Sequence, residues 1–157
     1  FGSGDVGVRV IGVGFDGTPA SRVALEVATD MALAGGAALR VFTVARKHAA
    51  LPGAAAEPGQ GAGAPSETEY LRGQLHEAVT ELPPEVRALP VFLRGFAADE
   101  LVSAAKLGVD LLVLGSRRGG PLRRAAHHSV TSFVVNEAPC PVLVCPSGVP
   151  APRPALA

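Results

Sequence analysis

"VRVIGVGFDGTPAS", Val8 to Ser21, decides how this chain is read. Its first eight residues form an apolar run of strand length, and Asp16-Gly17 ends it. Thr18 then stands as a good helix N-cap, with Pro19 at the first helical position, where its fixed φ and missing N–H do no harm. A buried strand passing directly into a helix is therefore predicted. Gly12, Gly14 and Gly17 formally match a G-x-G-x-x-G dinucleotide fingerprint, but the context is wrong. The first two lie inside the strand, the third precedes the helix, and Asp16 would aim a carboxylate at a pyrophosphate.

Working outward, Val23, Val27 and Met31 recur every four residues beside Ala24 and Ala28, which predicts one apolar helix face ending at Gly35-Gly36. "AALRVFTVA" (37–45) reads as a second buried strand. Residues 46–66, rich in Ala, Gly and Pro, read as a mobile loop. Ser66 and Glu69 have capping-box spacing, and the helix behind them is expected to bury Leu71, Leu75, Ala78 and Leu82 before Pro83-Pro84 stops it. "VRALPVFL" (86–93) is a third strand, placed at a sheet edge by Pro90, which cannot donate to a ladder. A helix over Ala97 to Lys106 with Leu101 and Ala105 on one face, and a strand in "VDLLVLGS" (109–116), come next.

The last helix is expected to be capped by Ser129, with Val130, Phe133 and Val134 facing inward, and "PVLVC" (141–145) is the fifth strand. Strands that are apolar along their whole length and alternate with helices predict an α/β fold, a parallel sheet covered on both faces. The organisation expected is a flexible N-terminus (1–7), one domain (8–146) and a proline-rich flexible tail (147–157).

The length, 157 residues, suits one core, and 48% hydrophobic residues make the chain globular. Fourteen basic residues balance fourteen acidic ones, so no global field favours nucleic acid or an anionic membrane. No run approaches the roughly 20 apolar residues of a membrane span, and no leader is visible. A cytoplasmic protein is expected. The chain starts at Phe1, not Met, which leaves open a longer chain with a second domain of the same type or another domain. Cys140 and Cys145 would stand about 16 Å apart on opposite faces of a strand, as unbridged thiols. No Cys/His set has zinc spacing.

Ligands of such sheets bind beyond the carboxyl ends of the strands, where the winding reverses. "GFDGT", "VARK" and "GSRRGG" map there. Asp16 can accept hydrogen bonds from ribose hydroxyls or an adenine amine. Gly115 and Gly119-Gly120 can expose backbone N–H groups, the helix start near Ser129 and Val130 presents more, and Arg117, Arg118, Arg123 and Arg124 add charge-assisted donors. No Lys follows the glycines, so this is not a Walker-type loop. The nucleophile elbow and paired carboxylates of dedicated hydrolysis are missing, so catalysis is not expected.

These stretches together resemble the universal stress protein family. "VGFDGTPASRVALEVA" is similar to its opening strand and helix, and "SVTSFVVNEAPCPVLVCP" to its closing ones, with "DLLVLGSR" between. The resemblance implies a five-stranded sheet in the order 3-2-1-4-5 of the adenine nucleotide alpha hydrolase-like type. It also implies an adenine-nucleotide site for ATP or AMP, with Mg2+ left open, and a regulatory homodimer through strand five, about Pro141 to Cys145. In the pattern G-x2-G-x9-G-S/T of ATP-binding members, Gly115 and Ser129 match at the correct length, while Arg118 and His128 replace the two inner glycines. By the resemblance Asp16, with Thr18 beside it, meets the adenosine, and Val44 offers backbone groups to adenine. Gly115 and Ser129 hold phosphates, with Arg118 and a protonated His128 as substitute donors and Gly119 supplying flexibility. The competing class is a dimeric scaffold or protein-interaction module with the same fold and a degenerated phosphate loop.

Overall fold

A computed structural model describes residues 7–46, 66–116 and 130–146. The expectations for 1–6, for 47–65, for the basic loop 117–129 and for the tail lie outside the described residues. Within them the chain runs β1 (Val10–Gly14), α1 (Pro19–Gly35), β2 (Ala38–Ala45), α2 (Glu67–Thr80), β3 (Ala88–Arg94), α3 (Ala97–Ala105), β4 (Leu111–Ser116), α4 (Val130–Glu137) and β5 (Val142–Pro146). All pairings are parallel and the strand order is β3-β2-β1-β4-β5. Pro90 lies in the edge strand β3, as its missing N–H requires. The third strand begins two residues later than expected, because Val86 is buried in the turn before it.

Two cores flank the sheet. One packs Ile11, Val13, Leu39 and Val41 against α1 and α2, and the other packs Phe42, Leu112 and Leu114 against α3 and α4. Winding β1→β2→β3 in one direction and β3→β4→β5 in the other puts the helices on opposite faces, since parallel crossovers keep one hand. The direction changes between β1 and β4, which places the switch point beside Asp16.

Local chemistry sets the helix ends. Thr18 caps α1 by accepting from the Ser21 N–H, Pro19 follows, and Gly36 closes the helix in the left-handed region at φ 69°. Ser66 and Glu69 form a reciprocal capping box on α2. The hydrogen bonds Glu69 accepts from Ser66 hold its carboxyl below the usual range, so the Glu69 half of the box is complete above the ordinary carboxylate pKa and weakens as pH falls through the lowered one, while the Ser66 hydroxyl still accepts from the Glu69 N–H.

The helix faces differ from expectation in three places. In α1 the innermost row is Ala20, Ala24, Ala28 and Ala32, flanked by Ser21, Leu25 and Thr29; Val23 and Val27 pack at the margin, and Met31 is 37% exposed. A helix lying close to the sheet turns its smallest side chains toward it, and apolar spacing alone does not register that. In α2 only Leu75 and Ala78 are buried, Leu71 and Leu82 being half-buried. In α4 Val134 is buried as expected, but Val130 and Phe133 are 42% and 41% exposed. In α3 Leu101 and Ala105 face inward, joined by Val102 and Ala104.

Enlarging the inner row of α1 should therefore hurt, and trimming its former candidate should not. Ala28→Leu is expected to cost about 1–3 kcal/mol by overpacking, while Met31→Ala stays within about 0.5 kcal/mol, both read from urea unfolding midpoints.

Candidate functional site

The turn between β1 and α1 is held by short-range polar contacts. Asp16 is exposed at the carboxyl end of β1, and its Oδ1 accepts from the Thr18 N–H at 3.0 Å and from the Thr18 hydroxyl. The charge on the acceptor strengthens both bonds. Thr18 Oγ1 in turn accepts from the Ser21 N–H at 3.3 Å. The buried Ser21 hydroxyl accepts from the Asp16 N–H at 3.3 Å and donates to the Thr18 carbonyl at 2.9 Å. Gly17 closes the turn at φ 79°, a region costly for L side chains. Asp16 and Thr18 are thus one unit, and Ser21 belongs to it.

The neighbouring strand ends align with this turn. Gly14 pairs with Phe42, the last pair of the β1–β2 ladder, and Phe15 donates to the Phe42 carbonyl at 2.8 Å just beyond it. Val13 pairs with Val113, which sets Gly115 beside Phe15. Thr43 Oγ1 donates to the Phe15 carbonyl at 2.8 Å, a buried link between the ends of β1 and β2. Asp16 and Thr18 follow β1, and Val44 and Gly115 lie near the ends of the flanking strands β2 and β4, so all four stand at the carboxyl end of the sheet.

Gly115 has a packing reason to be glycine. A Cβ there would lie 2.3 Å from the Ala20 carbonyl carbon and oxygen and 2.7 Å from the Ser21 nitrogen. Those are backbone atoms and cannot turn aside. β4 and the first turn of α1 touch through the bare α-carbon, so this glycine is required by the fold whether or not phosphate binds. Val130 opens α4 and is exposed. Arg117, Arg118, Gly119, His128 and Ser129 lie outside the described residues.

The model of the universal stress protein family matches residues 7–146. The chain belongs to that family. Among solved structures, a universal stress protein in complex with cAMP superposes with a TM-score of 0.67 at 22% identity, covering 90% of this chain and 99% of that one. A family protein from Burkholderia pseudomallei gives 0.64 at 23% identity, with 88% and 96% covered. The Archaeoglobus fulgidus universal stress protein in complex with dAMP gives 0.56 at 19% identity, with 87% and 97% covered. A search of the curated proteins finds no match. At these identities the likeness carries the fold.

As a universal stress protein domain, this chain also has features away from the turn. A groove of about 280 Å³ runs between α3 and the β2–β3 face, lined by Arg40, Phe42, Leu89, Val91, Leu93 and Leu107 among others. Arg40 is tied there by a 2.6 Å bond from Nη1 to the Leu107 carbonyl, and the walls are otherwise mostly apolar. Cys140 packs toward the α3–α4 core and Cys145 toward the α1–α2 core, as unbridged thiols on opposite faces. Burial pushes the pKa of each upward, which keeps them protonated and weakly nucleophilic. No helix among the described residues is long and apolar enough to cross a membrane.

The sequence reading missed Ser21 and Thr43. For Ser21 a signal existed, because a hydroxyl three residues after an N-cap is placed to reach back across the helix start. Thr43 inside an apolar run carried none.

Gly115→Ala is expected to lower stability by about 1–3 kcal/mol or more through a clash with rigid backbone. The loss should appear in denaturant unfolding without any nucleotide present, separating the fold's need for this glycine from a ligand's.

Proposed function

We propose that this domain binds an adenine nucleotide, ATP or AMP, at the carboxyl ends of β1, β2 and β4, and acts as a regulatory dimer. The observation that carries the reading is the Asp16 turn: an exposed carboxylate locked at the switch point of a parallel sheet, beside the end of β2. Such a group accepts hydrogen bonds from ribose hydroxyls or the adenine amine, and in this reading Val44 offers backbone groups to the base. Structural neighbours solved with cAMP and dAMP support the same ligand class. In this proposal the adenosine half is met by Asp16, Thr18 and Val44. In this proposal the phosphate half falls to Gly115, Arg117, Arg118, Gly119, His128, Ser129 and Val130, with the Arg118 and His128 side chains as donors in place of two glycines.

Dimerisation is assigned to β5, the second edge of the sheet. Among the described residues it pairs with β4 alone, and Leu143 on it is 36% exposed, on the face of the strand that Cys145 shares. An uncovered apolar edge calls for a partner.

The second reading is a dimeric scaffold that binds no nucleotide, favoured by the packing explanation of Gly115. Calorimetric titration with ATP, AMP and cAMP decides between the two. Saturable binding is expected, weakened about 10- to 100-fold by Asp16→Ala, the worth of one or two hydrogen bonds to a charged group; no heat from a folded protein leaves the scaffold. Leu143→Lys should turn the dimer into a monomer in sedimentation velocity with the circular dichroism spectrum unchanged.

A further inference from the structure

α2 packs chiefly on β2 and β3. At one point it also reaches the turn after β1. The amide of Gln74 is seated on Gly17 so closely that a Cβ there would lie 2.5 Å from Gln74 Oε1 and 3.0 Å from its Cδ and Nε2. Gln74 is half-buried, and its Nε2 donates to the Tyr70 hydroxyl at 2.9 Å. Tyr70 lies one turn earlier on the same face of α2, as the spacing of four requires.

Gly17 is the one residue of the Asp16–Gly17–Thr18 turn without a side chain to limit its φ and ψ. The hydrogen bonds of Asp16 and Thr18 hold the two ends of the turn, while its centre is held by what presses on it. We propose that Gln74, oriented by Tyr70, is a positioning residue that pins the Gly17 hinge from α2 and so fixes the direction of the Asp16 carboxylate toward the nucleotide. The nucleotide part of this proposal rests on the reading of Asp16 given above; the bracing part does not. The brace makes the first turns of α2 sense the site, since displacement of Asp16 moves Gly17 against the Gln74 amide.

The test compares Gln74→Ala, Gln74→Met and Tyr70→Phe with the wild-type protein. Gln74→Met fills similar space without the amide, and Tyr70→Phe removes only the hydroxyl that orients it. The first readout is the solvent exchange rate of the Thr18 amide in the nucleotide-free protein by NMR, since that N–H is bonded to Asp16. Exchange is expected to quicken about 3- to 10-fold in Gln74→Ala, and less in Tyr70→Phe, with core amides of β1 and β4 unchanged. Equal Thr18 exchange in all variants overturns the brace, as does a uniform rise across the core amides, which would mark a general loss of stability.

The second readout is ATP affinity by calorimetry. It should fall about 3- to 10-fold in Gln74→Ala and partly recover in Gln74→Met if contact with Gly17 is what matters. A wild-type protein that binds no ATP removes the nucleotide reading, and the brace is then judged by the exchange rates. A wild type that binds ATP, with Gln74→Ala binding equally well, overturns the positioning role and leaves the nucleotide reading standing.

Discussion

The first turn of α1 lies against the end of β4 with no side chain between them. Gly115 meets the backbone of Ala20 and Ser21 so closely that even a methyl group would overlap it. That approach is possible because α1 presents Ala20, Ala24, Ala28 and Ala32 to the sheet, with the larger Val23 and Val27 at the margins. A helix held this near brings its N-terminus down to the strand ends. Thr18, the N-cap, then comes to rest where its N–H and hydroxyl both reach Asp16. Close packing and the geometry of the turn are thus one arrangement seen at two scales.

The Asp16 turn serves the helix before it serves any ligand. Its carboxylate binds Thr18, Thr18 caps α1, and Ser21 reaches back to the Asp16 N–H. A residue engaged in this way has few orientations left, which is the condition for a recognition group to bind without an ordering cost. The acidic residue, the N-cap and the glycine between them are therefore explained by folding alone. The same holds for Gly115, whose presence speaks for tight packing first. For this reason the nucleotide reading draws its weight from where Asp16 stands, at the reversal of winding, more than from the glycine pattern.

Much of the fold could be read from neighbouring residues. Thr18-Pro19, Gly35-Gly36 and Ser66 with Glu69 act over a few positions and each produced the expected cap, while the unbroken apolar runs marked the strands to within two residues at their ends. Pro90 marked an edge because a missing N–H has the same consequence in any sheet. The surroundings of the candidate site were legible in part: Asp16 and Thr18 follow β1, and Val44 and Gly115 lie near the carboxyl ends of its neighbours β2 and β4. Ser21, Thr43 and Gln74 escaped notice because their partners are chosen by packing. Gln74 is 57 positions from Gly17 along the chain, and nothing at either position announces the other.

The amino-acid order alone settled which segments are strands and helices, to within about two residues at their ends, that the sheet is parallel and buried on both faces, and which turns follow its carboxyl ends. Those properties follow from hydrogen-bonding capacity and apolar content within a few residues. It did not settle which side of a helix goes inward. The apolar stripes of α1 and α4 each offered more than one face, and the distance between layers made the choice. In α1 a short distance admitted alanines and pushed Met31 outward; in α4 Val134 was taken in while Val130 and Phe133 were left exposed. How near two layers come depends on every side chain between them, so it exists only once the chain has folded.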